Sequence, residues 1–318
     1  MTLHPNQNTD EVSIVQTEQI AVLIPCFNEA KTIGGVIDDF KNELPEAKIY
    51  IGDNNSNDKT VSIAKAMGVT VISENRQGKG HMLKTMVENI DAEIYIMIDG
   101  DGTYAAKDIH QLILPVIEGK CDMCIGNRLN NYQPGSFSNF HLIGNKLIRY
   151  LTYRLHGVKI PDMLTGYRVM SRKVVDKMCL ISGGFEIETE INIKSVWLGS
   201  RICSVDIHYG TRPAGSISKI KTINDGYRIL STIFMLLREH QPMTMGGIIC
   251  LILITIGTVF FCGGMFGDNL YCFILGLSMY LIGIIALATG IILNAINISH
   301  RELEQFHRKL LKSTKTRS

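Results

Sequence analysis

Short apolar runs alternate along the amino-terminal half of the chain with segments in which apolar residues recur at helical spacing. Ile33, Val36 and Phe40, for example, follow one such run and fall on one face of a predicted helix. Apolar runs of this length are typical of strands buried on both faces of a parallel sheet. Strands alternating with helices predict an α/β fold, with a mainly parallel sheet and right-handed crossovers. The predicted strands lie at 20–24, 48–52, 69–73, 94–98 and 122–126, followed by an alternating strand at 202–209.

Two long segments near the carboxyl terminus, 246–267 and 270–298, contain no charged residue. With a helical rise of 1.5 Å per residue, each is long enough to cross a ~30 Å hydrocarbon core. Only Asp268 and Asn269 separate them, so they predict a transmembrane hairpin; two buried core helices are the alternative. Lysine and arginine occur on both outer flanks and not at the tip, which favours a cytoplasmic main domain and cytoplasmic termini. We therefore expect an integral membrane protein at the cytoplasmic face of the cell or endoplasmic reticulum membrane.

The rest of the chain divides by composition. Its first residues are polar and lack the apolar core of a signal peptide. Ahead of the hairpin, Ile229 and Ile233 oppose Arg228 and Arg238 in an amphipathic segment typical of a helix at a membrane surface. The tail is basic, which suits anionic headgroups or simple solvation. The expected organisation is a flexible arm at 1–18, an α/β domain at 19–221, an interfacial helix at 222–241, a membrane hairpin at 245–298 and a basic cytoplasmic tail at 299–318.

Composition narrows the classes of protein further. Charged residues make up 19% of the 318 residues, below the ~25% that is typical of soluble domains. The net charge of +2 does not suggest a nucleic-acid partner. The eight cysteines are scattered, and Cys121 and Cys124 form one C-x-x-C without the second pair that a zinc site needs. We therefore expect free buried thiols in a reducing compartment.

Asp99, Gly100 and Asp101 directly follow the fourth predicted strand. The carboxyl ends of strands are where open α/β sheets bind ligands, and two carboxylates this close repel each other unless a cation lies between them. Gly100 would let the backbone approach a ligand closely. An ordinary polar turn is the alternative. The pattern thus predicts a site for Mg²⁺ or Mn²⁺, which prefer oxygen ligands, and for a phosphorylated substrate.

Polar clusters follow two further strands, at Asn28–Glu29 and at Asp53–Asp58. They should converge with the D-G-D segment on one edge of the sheet, as in nucleotide sites. Neither G-x-G-x-x-G nor G-x-x-x-x-G-K-[ST] occurs, which disfavours an NAD enzyme or an ATPase of the common types. Lys79, between two glycines where the third predicted helix begins, marks either a phosphate-binding helix terminus or a simple turn.

These segments resemble the motifs of family 2 inverting glycosyltransferases with the GT-A fold. Pro25–Glu29 resembles their P-x-[YF]-N-E opening, Asp53–Asp58 their D-D-G-S-x-D loop, and Asp99–Asp101 their D-x-D. The similarity is closer still to dolichol-phosphate mannose synthases and bacterial polyprenyl-phosphate glycosyltransferases, several of which carry carboxyl-terminal membrane hairpins. Their further motifs match, in order, Gly126–Arg128, Asp162–Arg168 and Arg212–Lys219.

The resemblance implies roles for particular residues. The base and ribose of the nucleotide would lie against strand-end residues, the metal against the D-G-D, and the phosphates of donor and acceptor against basic residues. The implied residues are Pro25, Phe27, Glu29, Asp53, Asp99 and Gly100 for the nucleotide, Asp101 for the metal, Arg128, Arg212 and Lys219 for phosphates, Asp162 and Arg168 for the reaction centre, and Glu190 near the acceptor.

Two positions depart from the family pattern. Asn54 stands where the family has its second aspartate, which leaves the contact with the base or ribose open. Thr103 stands where the mannose synthases carry a metal-ligating glutamine, so its hydroxyl is a candidate weak ligand. Glu186, Glu188 and Glu190 are spaced by two and cannot share one helical face, so we expect at least one of them to be solvated.

The resemblance implies inverting transfer of one sugar from a UDP- or GDP-linked donor to undecaprenyl or dolichyl phosphate. A processive polysaccharide synthase is the nearest alternative, although the lone Trp197 is not part of a Q-x-x-R-W motif. A non-catalytic, nucleotide-sugar-binding membrane scaffold is another. Asn294 and Asn297 within the hairpin are polar groups that a homo-oligomer could bury.

Overall fold

A computed structural model describes residues 20–137, 139–213, 219 and 222–315. The predicted arm at 1–18 and most of the loop after Arg212 lie outside the described residues. The chain forms two compact units, Met1–Ile233 and Phe234–Ser318. The first unit contains the sheet, and the second contains two long apolar helices.

Seven strands form one sheet in the order β3-β2-β1-β4-β6-β5-β7. All neighbours pair in parallel except β6, which runs antiparallel to both β4 and β5. The mainly parallel α/β sheet expected from the sequence is therefore confirmed, and β6 is a strand that the sequence pattern did not reveal. The strands are β1 Ile20–Cys26, β2 Lys48–Asp53, β3 Thr70–Ser73, β4 Ile94–Met97, β5 Met123–Asn127, β6 Arg168–Ser171 and β7 Ile202–Asp206.

Helices cover the sheet, and their apolar faces form its core. Ile33 and Phe40 of the first helix are fully buried, as their spacing predicts, against strands that are themselves buried. Burying a side chain of this size contributes roughly 1.5–3 kcal/mol, so the core has a strong drive to form. The helices are α1 Ile33–Glu43, α2 Thr60–Ala66, α3 Lys79–Asn89, α4 Ile109–Ile117, α5 Asn139–His156, α6 Arg172–Val175, α7 Ile187–Trp197, α8 Thr222–His240, α9 Pro242–Phe266 and α10 Leu270–Lys315.

The cysteine expectation is wrong for two residues. Cys121, two residues before β5, is disulfide-bonded to Cys203 of the neighbouring strand β7. The C-x-x-C partner Cys124 is a buried free thiol, in agreement with the expectation. Sequence spacing could not reveal this pair, because the sheet brings together residues 82 positions apart.

The second unit is a hairpin of two helices that are long and apolar enough to cross a membrane. Their mean hydropathy reaches 2.5 in Pro242–Phe266 and 2.3 in Leu270–His300. Glycines let the two backbones approach each other: a Cβ on Gly246 would lie 2.7 Å from the carbonyl oxygen of Ala286. α10 continues as one helix into the basic tail. The Asn297 side-chain amide donates to the Glu239 carbonyl at 2.7 Å, so this polar group has a partner within its own chain.

α8 forms where the amphipathic segment is predicted, with a different face exposed. Ile229 and Ile233, on the face expected to meet the membrane, are buried. The exposed side of this part of the helix carries Tyr227 and Arg228. The interfacial role of 222–241 remains a prediction, and it cannot rest on those two isoleucines.

Candidate active site

One edge of the sheet opens into a cavity of about 740 Å³. The carboxyl ends of β1, β2, β4 and β5 meet at this edge because they run in parallel, and antiparallel β6 begins there. Topology thus brings together residues far apart in sequence, as the strand-end motifs predicted. The sequence-predicted residues that line the cavity are Pro25, Phe27, Glu29, Asn54, Asp99, Gly100, Asp101, Thr103, Arg128, Arg212 and Lys219.

Asp101 is buried within a network of donors at the cavity wall. Its Oδ1 accepts hydrogen bonds from the Thr103 backbone N–H at 3.1 Å and from the Thr103 hydroxyl at 2.6 Å. Its Oδ2 lies 2.6 Å from Nη2 of Arg212. The carboxylates of Asp99 and Asp101 and the Thr103 hydroxyl offer only oxygen donors, the set that Mg²⁺ and Mn²⁺ prefer. The residues present therefore fit a hard divalent cation, with Thr103 orienting Asp101.

Asp99 is held by a lysine and by a close backbone approach. Nζ of Lys79 forms an ion pair with Asp99 and another, at 2.6 Å, with Glu188. A Cβ on Gly166 would lie 2.7 Å from the carboxyl carbon of Asp99, so any larger residue there would displace the carboxylate. Asp99 is therefore fixed in one orientation beside the cavity.

Lys79 is a buried cation between two carboxylates. Burial alone would lower its pKa, but the opposing charges of Asp99 and Glu188 raise it to about 12. Lys79 is consequently protonated throughout the physiological range. Both Lys79 and Glu188 line the cavity. The sequence suggested Lys79 only as part of a phosphate-binding helix terminus or a turn, and it did not suggest Glu188.

Backbone N–H groups at the amino terminus of α3 are hydrogen-bonded to another part of the chain. The backbone N–H groups of Gly80 and His81 both donate to the Gly183 carbonyl, at 3.0 and 3.2 Å. The hypothesis of a phosphate-binding helix terminus at Lys79 therefore loses two of its donors. It is the side chain of Lys79 that reaches the cavity.

Arg128 enters the cavity from the end of β5 and is anchored by Asp162. Its Nε lies 2.7 Å from Asp162 Oδ2 and its Nη2 lies 3.0 Å from Oδ1, in a bidentate pair. The guanidinium also lies 5.3 Å from the ring centre of Phe137 and 5.1 Å from that of Tyr209. Burial opposes the charge of Arg128, but Asp162 outweighs it and raises the pKa of the guanidinium well above its usual value.

Asp162 is fully buried and does not line the cavity. Besides Arg128, it accepts hydrogen bonds from Asn145 Nδ2 at 2.9 Å and from the Leu164 N–H at 3.2 Å. Burial raises the pKa of Asp162, but Arg128 and these donors lower it further, so the net shift is downward. This geometry supports a role in positioning Arg128 rather than contact with reactants.

Arg168 and Glu190 likewise lie behind the cavity wall. Arg168 is fully buried and donates to Thr165 O at 2.5 Å and to Asn192 Oδ1 at 3.1 Å. Glu190 accepts from the N–H groups of Ile181 and Ser182, at 2.9 and 2.7 Å, and is paired with Lys194 at 2.7 Å. The Glu190 contacts hold the loop before α7, and the Arg168 contacts join α7 to the segment before β6.

The solvation expected for one of the three glutamates is wrong. Glu186, Glu188 and Glu190 are all buried, at 7%, 5% and 0% exposure. α7 is enclosed on every side over Ile187–Ser195, so its charged residues find partners inside the protein. Only Glu188 of the three lines the cavity.

The ends of β1 and β2 are joined by side-chain hydrogen bonds. Asn28, whose φ of 55° is left-handed, donates its N–H to Ser56 Oγ at 3.0 Å and accepts from the Asn57 N–H at 2.8 Å.

Glu29, the next residue, lies 3.3 Å from Lys219 Nζ. Burial raises the pKa of Glu29, and Lys219 opposes that shift. This pair lines the cavity beside Asp101.

Asp53 and Asn54 differ in their placement. Asp53 is buried, accepts from the Ser56 N–H at 3.2 Å and does not line the cavity. The Asn54 amide donates to the carbonyls of Glu74 and Arg76, at 3.0 and 2.8 Å, and accepts from the Gly78 N–H at 2.6 Å. An aspartate could not donate to those carbonyls, which gives a physical reason for the departure from the family pattern.

Gly100 is required for packing and not only for ligand approach. A Cβ at this position would lie 2.6 Å from Cys26 Sγ and 3.3 Å from Ile24 Cγ2. Its carbonyl accepts from the Thr32 hydroxyl at 2.7 Å. The missing side chain therefore lets the D-G-D turn lie against β1, which adds a packing reason to the one inferred from the sequence.

The chain belongs to glycosyl transferase family 2, whose profile matches residues 21–179. The chain is 34% identical over 227 residues to glycosyltransferase AglJ of Haloferax volcanii, covering 71% of this chain and 74% of AglJ. It is 27% identical over 180 residues to the UDP-N-acetylglucosamine–dolichyl-phosphate N-acetylglucosaminyltransferase of Methanococcus voltae, covering 49% and 70%. The resemblance inferred from the motifs is thereby confirmed, and the chain is a glycosyltransferase of this family.

A solved structure resembles this chain in fold. Glucosyl-3-phosphoglycerate synthase from Mycobacterium tuberculosis, in complex with Mn²⁺, UDP and phosphoglyceric acid, matches with a TM-score of 0.58 over 69% of this chain and 78% of that one. The two are 22% identical, so this likeness shows the GT-A-type fold. The expected fold class is confirmed.

Proposed function

We propose that the protein transfers one sugar from a nucleotide sugar, UDP- or GDP-linked, to a polyprenyl phosphate at the membrane, with inversion at the anomeric carbon. The dolichyl-phosphate relative from Methanococcus voltae supports a lipid acceptor. The two helices able to span a membrane support membrane association. Mg²⁺ or Mn²⁺ is the proposed cofactor.

The observation that carries this proposal is the mixed lining of the cavity. Strand-end loops contribute charged groups, among them Asp99, Asp101 and Arg128. α5 and the loop before it, α8 and the segment before α7 contribute apolar side chains to the same cavity. A ligand that suits both kinds of lining carries phosphate next to hydrocarbon, as a polyprenyl phosphate does. The apolar lining residues are Phe137, Leu142, Ile148, Phe185 and Ile229.

The chemistry of such an acceptor matches the groups present. A phosphate monoester has its second pKa near ~6, so at neutral pH it is largely a dianion and needs no strong base. What the reaction needs is positive charge that brings two polyanions together. Arg128, Arg212 and Lys219 can supply that charge, and bidentate arginine binds phosphate oxygens well.

Asp101, with Thr103 beside it, would hold the divalent cation, which when bound neutralises charge developing on the nucleoside diphosphate leaving group. Asp99, which the family resemblance assigns to the nucleotide, is kept in place by Lys79. Arg212 pairs with Asp101 and is therefore close enough to contact the same diphosphate.

The test is a donor panel with the full-length protein reconstituted in lipid nanodiscs. UDP- and GDP-sugars are supplied one at a time with Mg²⁺ or Mn²⁺ and with undecaprenyl or dolichyl phosphate, and lipid products are analysed by mass spectrometry. The expected product is a lipid phosphate that carries a single sugar. Products with several sugars would favour a processive synthase. Nucleotide-sugar binding without any product across the panel would favour a non-catalytic scaffold.

A further inference from the structure

Helix α5 carries large apolar side chains on the face turned away from the rest of the first unit. Its inner face buries Ile148, Thr152 and His156 against the first unit. Its outer face is largely exposed in the part of the chain that the structure describes, and it carries large apolar side chains, which costs solubility unless something covers them. Their exposures are 67% for Ile143, 48% for Leu147, 58% for Tyr150 and 44% for Tyr153.

The spacing of these residues defines one stripe. Ile143, Leu147, Tyr150 and Arg154 follow at intervals of four, three and four residues, so they lie in a line along the helix. This stripe, together with Tyr153, is called the outer face of α5. Its tyrosines are residues typical of the boundary between hydrocarbon and headgroups.

The charge around the stripe has a single sign. Lys146, Arg149 and Arg154 are exposed, and α5 contains no acidic residue. Lys159, just beyond the helix, lies with its Nζ 5.6 Å from the ring centre of Tyr153. Apolar residues edged by lysine and arginine match an anionic lipid surface in both apolar character and charge.

We propose that the outer face of α5 inserts into the headgroup region of an anionic membrane leaflet. A second copy of this chain is a poorer occupant, because a two-fold contact would place the same basic residues opposite each other. α5 also contributes Leu142, Asn145 and Ile148 to the cavity. Insertion would therefore set one wall of the cavity at the depth of lipid headgroups.

The experiment uses a single tryptophan as a depth probe. Leu147→Trp is made in a Trp197→Phe background, and the full-length protein is reconstituted in vesicles containing anionic lipid with brominated acyl chains. Leu114→Trp on α4, where Leu114 is 53% exposed, is the matched control. Emission from position 147 should be quenched several-fold more than emission from position 114. Equal quenching at the two positions would overturn the proposal.

A charge-reversal variant tests the lipid preference. Lys146→Glu, Arg149→Glu and Arg154→Glu together should reduce quenching at position 147 several-fold, whereas Lys41→Glu, Lys65→Glu and Lys84→Glu on other helices should not. If quenching at position 147 did not depend on anionic lipid, the proposed attraction between the basic residues of α5 and the lipid would be contradicted. The tryptophan at position 147 could instead be shielded from water without being quenched, and become exposed to water when the protein is diluted into excess lipid. That result would identify a second copy of the chain as the occupant. The readout needs no sugar transfer, so it stands or fails independently of the proposed activity.

Discussion

Asp101 takes hydrogen bonds from Thr103 on one oxygen and pairs with Arg212 on the other. At the scale of single residues, the site consists of such carboxylates whose orientation is fixed by neighbours. Asp99 depends on Lys79 and Gly166 in the same way. Substitutions in the supporting residues should therefore affect binding as clearly as substitutions in the groups that touch reactants.

We expect Asp101→Asn to lower sugar transfer at least ~100-fold, because an amide is a poor ligand for a hard cation and balances less positive charge. Mn²⁺ affinity, followed by electron paramagnetic resonance, should fall in parallel. The fold should survive, since asparagine can still accept from Thr103, and circular dichroism checks this. Unchanged turnover would remove the D-G-D segment from the mechanism.

Lys79→Met should weaken binding of the nucleotide sugar by about 10-fold or more, the usual effect of losing a charged hydrogen bond. Without the cation, Asp99 and Glu188 repel each other and Asp99 loses its orientation. Isothermal titration with the donor identified by the panel measures the change. Lys84→Met, on the same helix and away from the cavity, is the control, and equal effects of the two variants would refute the role of Lys79.

Asp162→Asn should lower the free energy of unfolding by roughly 3 kcal/mol, because it leaves the buried Arg128 without an opposite charge. Since folding lowers the pKa of Asp162, the stabilisation is complete above the unfolded-state value near ~4 and is lost as pH falls through the folded-state value. The melting temperature in detergent should therefore fall less steeply for the variant than for the parent protein as pH is lowered from 7. If the melting temperatures of the two proteins fell equally with pH, the stabilising role of the Asp162–Arg128 pair would be contradicted.

At the scale of elements, local pattern predicted some features and long-range packing decided others. β1 to β5 and α1 could be predicted from the sequence because their apolar pattern is local. β6 could not be predicted, because its four residues follow a polar segment and show no clear apolar pattern. Lys79 and Glu188 were missed as a pair for the same reason: 109 residues separate them, and the fold alone brings them together. The disulfide and the buried face of α8 likewise depend on tertiary contacts.

Gly80→Ala tests the contact between α3 and the loop before α7. A Cβ there would lie 2.8 Å from the backbone carbonyl carbons of both Ser182 and Gly183, so the loop or the helix must shift. We expect a lower melting temperature and weaker donor binding, because Lys79 moves with the helix. Gly35→Ala in α1, whose Cβ would meet nothing within 4 Å, should be neutral or stabilising by up to about 1 kcal/mol. Similar losses in both variants would argue against this contact.

At the scale of the whole molecule, one chain combines a glycosyltransferase unit with a hairpin of two apolar helices. The sequence was sufficient to predict this combination because both features leave long signals. The glycosyltransferase unit is marked by a series of ordered motifs, and the hairpin by two long segments without charge. The orientation in the membrane remains a prediction from lysine and arginine placement.

Asp268→Cys, at the hairpin tip, tests that orientation. If the main domain is cytoplasmic, an impermeant maleimide should label this residue from outside intact cells, over the background of the parent protein. Cys179, which is exposed in the first unit, should react only after lysis. The reverse pattern would invert the predicted topology.

The antiparallel strand β6 has a consequence for how this protein is made. β4 and β5 are successive strands in the sequence, yet β6 lies between them in the sheet. While the ribosome is still synthesising the segment before Arg168, both strands present open edges that would pair with other nascent chains. The sheet can close only once Ser171 has left the exit tunnel, so the nascent chain needs protection for longer than its local strand signals suggest.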